Sequence, residues 1–156
     1  HRGWFGNCAT FDDGSPTCWG GNIRGELGLG NTDNVGDDGG EMGDALPDFA
    51  AGLAVTAVLG GYHVWCVIDD ARALRCLGRN DLGQLGVGDA VNHGGNAGET
   101  WAAQPPIDLG TGRTLRGTSD HNIAHGLEHV CALTDDFRIR CWGSNNLGQL
   151  FVGDTD

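Results

Sequence analysis

The stretch CATFDDGSPTCWG, residues 8–20, recurs as CVIDDARALRCLG at residues 66–78 and as CALTDDFRIRCWG at residues 131–143. Each copy contains a pair of cysteines and ends in a large apolar residue followed by glycine. A block of the form Asn-x-x-Gly-Glu/Gln-Leu follows each copy, beginning at Asn22, Asn80 and Asn145. Recurrence at periods above about 50 residues is typical of propeller blades or arrays. We therefore predict one repeat domain over 1–156, with units of approximately 1–48, 49–108 and 109–156.

The first copy predicts a β-hairpin with a defined register. Gly14 ends a three-residue loop, at the position where the left-handed backbone favours glycine. Thr10 then faces Pro16 at a non-hydrogen-bonded site, so the missing proline N–H costs no ladder bond. Cys8 faces Cys18 at a second such site, where Cα atoms about 4.5 Å apart permit a disulfide. In the other copies Arg72 and Phe137 replace Gly14, and we expect those two turns to adopt another type because left-handed non-glycine residues cost about 1–2 kcal/mol.

The even number of cysteines and their hairpin spacing favour structural disulfides. Zinc sites require closer cysteines or nearby histidines, and free buried thiols would not need to recur in facing pairs. The three predicted bonds are Cys8–Cys18, Cys66–Cys76 and Cys131–Cys141. Disulfides indicate an oxidising compartment, so we expect an extracellular, secreted or cell-surface protein.

Composition excludes several classes of function. The formal net charge is -12, from 21 acidic and 9 basic side chains, which would repel nucleic acid and anionic membranes. No apolar run approaches the length needed to insert into a bilayer. The 29 glycines indicate many turns, and no apolar stripe keeps a helical period. The histidines form no metal-binding motif, and no nucleophile elbow or phosphate loop is present, so we predict no enzyme activity and no cofactor.

Two long linkers, residues 31–48 and 89–108, are candidates for function. Gly40-Glu41 and Pro47 in the first match Gly98-Glu99 and Pro105 in the second, which indicates one kind of connection. The second linker offers two contact candidates, and Phe151 is a third because it replaces the turn glycine of the other units. The predicted contacts are His93, Trp101 and Phe151. A weak calcium site is also predicted, since carboxylate oxygens suit Ca²⁺. Its candidate ligands are Asp33, Asp37, Asp38, Glu41 and Asp44.

These residues resemble the repeats of the regulator of chromosome condensation family. The third unit carries the clearest likeness, through Gly126, His129, Cys131-Ala132-Leu133, Cys141-Trp142-Gly143, Asn145 and Gly148-Gln149-Leu150. The paired cysteines and the acidic stretch 40–47 are similar to secreted relatives of that family. The resemblance implies an all-β chain of four-stranded antiparallel blades, about two and a half of them, in a propeller that usually has seven. It does not imply the nuclear activity of the family's namesake.

Two classes of function follow from an incomplete propeller. Copies of the chain could complete one another head to tail, giving a homo-oligomeric ring or filament with a structural role. Alternatively, the chain is a fragment of a longer seven-bladed propeller that binds a protein or a glycan through its long loops. The sequence alone does not decide between them.

Overall fold

The computed structural model describes residues 5–12 and 15–154, which form three small antiparallel sheets. The strands are β1 Gly6–Thr10, β2 Pro16–Gly20, β3 Val55–Gly60, β4 Val64–Asp69, β5 Leu74–Gly78, β6 Ile123–His125, β7 His129–Leu133 and β8 Ile139–Gly143. The sheets have the orders β1-β2, β3-β4-β5 and β6-β7-β8. Short 3₁₀ turns lie at Gly43–Ala45 and Asp120–Asn122. The predicted all-β fold is confirmed, and no helix in the described part of the chain is long and apolar enough to cross a membrane.

In units 1 and 2 the fourth strand of the predicted blade is reduced to a single bridge. Val35 pairs with Gly20 at the outer edge of the first sheet, and His93 pairs with Gly78 at the outer edge of the second. Both bridges use two backbone hydrogen bonds of 2.7–3.1 Å. The linkers thus supply the outermost element of units 1 and 2, and they stay irregular because only one residue of each continues the ladder.

The hairpin register is the one that the sequence predicts. Thr10 faces Pro16 and Cys8 faces Cys18, and the same cysteine pairing recurs in the second and third sheets. All three disulfides are formed, with Cα–Cα distances of 4.2, 4.1 and 4.1 Å. The predicted role of Gly14 lies outside the described residues.

The second and third hairpin turns correct one expectation. Arg72 and Phe137 keep the left-handed conformation, with φ of 63° and 62°, rather than changing the turn type. Their amides close the turns onto the carbonyls of Asp69 and Thr134. The guanidinium of Arg116 lies 4.4 Å from the centre of the Phe137 ring. The register imposed by the disulfide and the ladder therefore outweighs the backbone cost of a non-glycine residue.

Each sheet has two apolar faces, and in unit 2 both faces pack against a neighbouring unit. We call the face with the disulfide the outgoing face and the face with Trp19, Leu77 or Trp142 the incoming face. In unit 2 the outgoing face packs against unit 3, in a cluster that includes Cys66, Cys76, Val130 and Trp142. Its incoming face packs against unit 1, in a cluster that includes Cys8, Cys18, Trp65 and Leu77. The units therefore stack face to face, and the predicted packing layer between adjacent sheets is present.

Removing the central disulfide is expected to cost more stability than removing the third. Cys66 and Cys76 are 0% exposed, whereas Cys131 and Cys141 are half-buried. The double replacement of Cys66 and Cys76 by alanine should lower the free energy of unfolding by about 2–4 kcal/mol, through loop entropy plus lost packing. The double replacement of Cys131 and Cys141 by alanine should lower the free energy of unfolding only by the loop-entropy contribution of the disulfide. Urea denaturation of both variants checks this, and equal losses would contradict it.

Candidate protein-interaction face

A space beside one glycine carries the contact between consecutive units, and we call it the indole slot. Gly86 has φ 70°, and a Cβ placed on it would lie 2.6 Å from Nε1 of Trp142. That indole N–H donates a 3.0 Å hydrogen bond to the carbonyl of Gln84. Unit 2 thus receives the tryptophan of unit 3 because residue 86 has no side chain.

The slot between units 1 and 2 is filled from two directions. A Cβ on Gly28 would meet Leu77 at 2.7 Å and Nε1 of Trp101 at 2.5 Å. Leu77 occupies the strand position of Trp142, and Trp101 from the second linker supplies the missing indole. Its N–H donates a 2.9 Å hydrogen bond to the carbonyl of Leu27. Trp101 is 1% exposed, so its prediction as a contact for another molecule is wrong: the ring anchors the linker onto unit 1.

Phe151 stands at the slot position of unit 3. Its φ of 63° matches the 64° of Gly28 and the 70° of Gly86, so its Cβ points into the space that an indole takes in the other two units. The side chain is 98% exposed. The role of Phe151 as a contact stays a prediction. Its Cβ makes the slot of unit 3 different from the slots of units 1 and 2.

The outgoing face of unit 3 is uncovered in the described chain. Ile139 is 72% exposed, whereas Leu74, at the same register position of unit 2, is 0% exposed. Leu150 is half-buried, whereas its counterpart Leu85 is fully buried. A groove of about 840 Å³ runs along β8, lined by Ile139 from the outgoing face, by Trp142 from the incoming face, and by Arg140, Phe151 and Ile107 of the second linker. Ile139 and Arg140 are not among the residues predicted from the sequence, although they lie 65 positions after Leu74 and Arg75 in the repeat.

The asparagine of each repeat block holds its loop closed. The side-chain oxygen of Asn80 accepts the amide of Leu85 at 2.9 Å, and its amide group donates to the carbonyl of Asp89 at 3.0 Å. Asn22 and Asn145 make the same two kinds of bond. The asparagines therefore position the start of each linker and are structural.

The two linkers share a carboxylate clamp. Glu41 accepts the amides of Gly36 and Asp38 at 2.8 and 3.1 Å. Glu99 accepts those of Gly94 and Asn96 at 2.9 and 3.0 Å. Both linkers are thus versions of one connection, as their shared residues indicate.

The clamp bears on the predicted calcium site. The carboxylate of Glu41 accepts hydrogen bonds from amides of its own loop. The other four candidates are exposed: Asp33, Asp37, Asp38 and Asp44. Within residues 5–12 and 15–154, no three or more His, Cys, Asp or Glu side chains form a group that could hold a metal ion. The prediction of a calcium site at these carboxylates is therefore not supported by their arrangement.

Two histidines have structural surroundings. The His93 ring lies 3.0 Å from a carboxylate oxygen of Asp89 and is 23% exposed, so its predicted contact role stays open. Both ring nitrogens of His125 are buried without a hydrogen-bond partner in the described structure. Burial, reinforced by repulsion from His129, lowers the pKa of His125 to about 4. This neutral ring packs beside Gly61 and joins units 2 and 3.

Comparison with known proteins identifies the class of the repeats. Residues 121–149 match the family profile described as the regulator of chromosome condensation (RCC1) repeat. The secretion-regulating guanine nucleotide exchange factors of Mus musculus and Bos taurus are 29% and 28% identical over 134 residues, covering 86% of this chain and 25% of theirs. The ultraviolet-B receptor UVR8 of Arabidopsis thaliana is 29% identical over 149 residues, covering 93% of this chain and 29% of its own.

Solved structures give the same fold. Prp20p of Saccharomyces cerevisiae superposes with a TM-score of 0.64 at 18% identity, over 98% of this chain and 34% of that chain. Yeast RCC1 (Prp20) bound to Kap60 gives a TM-score of 0.67 at 18% identity, over 99% and 34%. Residues 121–149 are an RCC1-type repeat, and the chain as a whole has the fold of part of an RCC1-type β-propeller. The chain spans about a quarter of the length of the first curated relatives that it matches.

Substitutions at two glycines separate slot packing from backbone strain. Gly83 and Gly86 have nearly equal φ, 73° and 70°, but a Cβ on Gly83 meets nothing within 4 Å. Gly83→Ala should therefore cost only the left-handed backbone penalty of about 1 kcal/mol. Gly86→Ala should cost at least about 1 kcal/mol more, because it displaces the Trp142 indole. Denaturant unfolding measures both, and equal costs would mean that the slot does not hold the units together.

Protonation of the linker clamp is expected to weaken the fold in acid. Partial burial pushes the pKa of Glu99 upward, but bonds from Asn96 and Gly94 outweigh it and hold the pKa below its ordinary 4.5. A lowered folded-state pKa stabilises the fold above the unfolded value, and this contribution disappears as the pH falls through the folded value. The wild type should thus exceed Glu99→Gln in stability at neutral pH, with a gap that closes below pH 4.5.

The exposed Asp44 offers a matched control for this experiment. Asp44→Asn also removes a linker carboxylate and should leave the free energy of unfolding at neutral pH close to that of the wild type, because Asp44 is exposed. A gap between wild type and Glu99→Gln that stays constant with pH would contradict a role for the ionised clamp.

Proposed function

We propose that this chain is a non-catalytic, protein-binding propeller segment that works in an extracellular, oxidising compartment. Its binding surface is the outgoing face of unit 3. The uncovered Ile139 carries this proposal, because the equivalent Leu74 is fully buried by the linker and unit that follow it. The outgoing faces of units 1 and 2 are covered, whereas the equivalent face of unit 3 is exposed. An exposed apolar face of this kind is expected to bind a partner.

The compartment follows from the three disulfides. Cross-strand disulfides persist in oxidising surroundings, and a reducing cytosol would open the half-buried Cys131–Cys141 pair first. The curated relatives include guanine nucleotide exchange factors, but the paired cysteines and acidic charge favour a different setting for this chain.

Self-association is the finer form of the proposal. A second copy would present its incoming face, with Trp19 at the position of Trp142, to the outgoing face of unit 3. Such a contact is heterologous and gives a ring or a filament. Phe151 would hinder the packing of a tryptophan as it occurs between units 2 and 3, because its Cβ points into the indole slot. Head-to-tail association of the natural chain should therefore be weak.

Three variants test binding through this face. Native mass spectrometry and light scattering over a concentration series should find weak association for the wild type and stronger association for Phe151→Gly, which opens the slot. Ile139→Arg should abolish association in both backgrounds. Val91→Arg is the matched control, since Val91 is 62% exposed on the second linker and should leave association unchanged.

The outcomes separate two hypotheses. Association that Ile139→Arg does not affect would overturn the outgoing face as the binding surface. Monomers at every concentration, with Phe151→Gly monomeric too, would overturn self-association.

A longer propeller is the second candidate. The chain covers only 25% of the length of the curated relatives and 34% of the length of the solved structures. These fractions favour further repeats as the segment that packs on the outgoing face of unit 3. The intact mass of the polypeptide from its source, measured with and without reductant, tests this directly. Binding of a glycan through the loops has less support, because Trp101 is internal.

A further inference from the structure

The segment that follows each covered unit contributes apolar residues to the cluster that contains that unit's disulfide. Phe49 is 2% exposed and lies in the cluster of Cys8 and Cys18, and Ile107 is 7% exposed and lies in the cluster of Cys66 and Cys76. A proline stands two positions before each of them, at Pro47 and Pro105. The cover of an outgoing face is therefore a segment of the form Pro-x-apolar.

Two backbone contacts fix this segment in unit 2. The amide of Ile107 donates to the carbonyl of Leu74 at 2.8 Å, at the free edge of β5. Nε of Arg75 donates to the carbonyl of Gln104 at 2.9 Å. Proline restricts the backbone between these two contacts to an extended form and lowers the entropy lost on docking.

Unit 3 has the equivalents of Leu74 and Arg75, but no described segment of the form Pro-x-apolar contacts them. Arg140 is the register equivalent of Arg75, and its Nε is buried with no hydrogen-bond partner in the described structure. Ile139 is the equivalent of Leu74 and lines the groove together with Cys131, Cys141 and Leu150. A buried guanidinium N–H without a partner costs stability unless a carbonyl or carboxylate reaches it.

We propose that this groove binds an extended polypeptide segment of the form Pro-x-apolar. The apolar side chain packs on the Cys131–Cys141 disulfide and Ile139. A carbonyl three residues earlier in the segment accepts from Nε of Arg140, and the amide of the apolar residue donates to the carbonyl of Ile139. This names the chemistry of the partner for the face described under Proposed function and rests on that proposal.

The probe for this site comes from the chain itself. A synthetic peptide with the sequence of residues 102–110, AAQPPIDLG, contains the segment that covers unit 2. Titration calorimetry of the intact chain with this peptide should give saturable binding in the micromolar to millimolar range. The same peptide with aspartate in place of its isoleucine should not bind, because the apolar contact is lost.

Variants of the groove locate the binding. Arg140→Ala should weaken binding by about tenfold, the usual loss for a hydrogen bond from a charged donor. Arg138→Ala is the matched control, since Arg138 directly precedes β8, is 77% exposed and lies outside the groove lining. Ile139→Arg should abolish binding, and circular dichroism confirms that each variant is folded.

The results distinguish this inference from the proposed function. No binding to the folded wild type, or binding that Ile139→Arg leaves unchanged, overturns the peptide site. If the peptide shows no binding while Ile139→Arg still reduces association of the chain, the outgoing face remains the binding surface. In that case only the Pro-x-apolar form of the partner segment is wrong.

Discussion

Both faces of every small sheet must be covered, and the rest of the structure depends on this. A sheet of two or three short strands cannot fold over to bury its own apolar faces. Unit 2 meets the requirement, since Leu74 on one face and Leu77 on the other are 0% exposed. The disulfide holds each hairpin in register, but the burial that stabilises the sheet comes from the neighbouring unit and the linker. Units are therefore stable as a stack, in which each unit covers a face of its neighbour.

The same packing rule can be met by different parts of the sequence. Trp142 fills the indole slot of unit 2 from its own strand, whereas the slot of unit 1 receives Leu77 and the indole of Trp101 from a linker. A glycine with positive φ and an accepting carbonyl are common to both. Phe151 keeps the backbone of that glycine but directs its Cβ into the slot, so the third unit differs from the others at the point where a further unit would dock.

Local chemistry made several features predictable. Pro16 and the cysteine spacing are sufficient for the hairpin register, since each restricts the same strand pair independently. The matching glutamates of the linkers, Glu41 and Glu99, likewise predict one connection. The turn at Arg72 was misjudged because the backbone penalty was given more weight than the ladder and the disulfide, which outweigh it. Trp101 was misjudged because a loop position by itself does not reveal burial.

The sequence by itself determined the repeat, the hairpins and the disulfide pairs, because these depend on residues close together along the chain. Only the tertiary structure decided which faces are covered. The unpartnered Nε of Arg140 and the exposed Ile139 become meaningful only when unit 3 is compared with unit 2 in three dimensions. Coverage depends on contacts between segments that are far apart along the chain, and no local pattern records them.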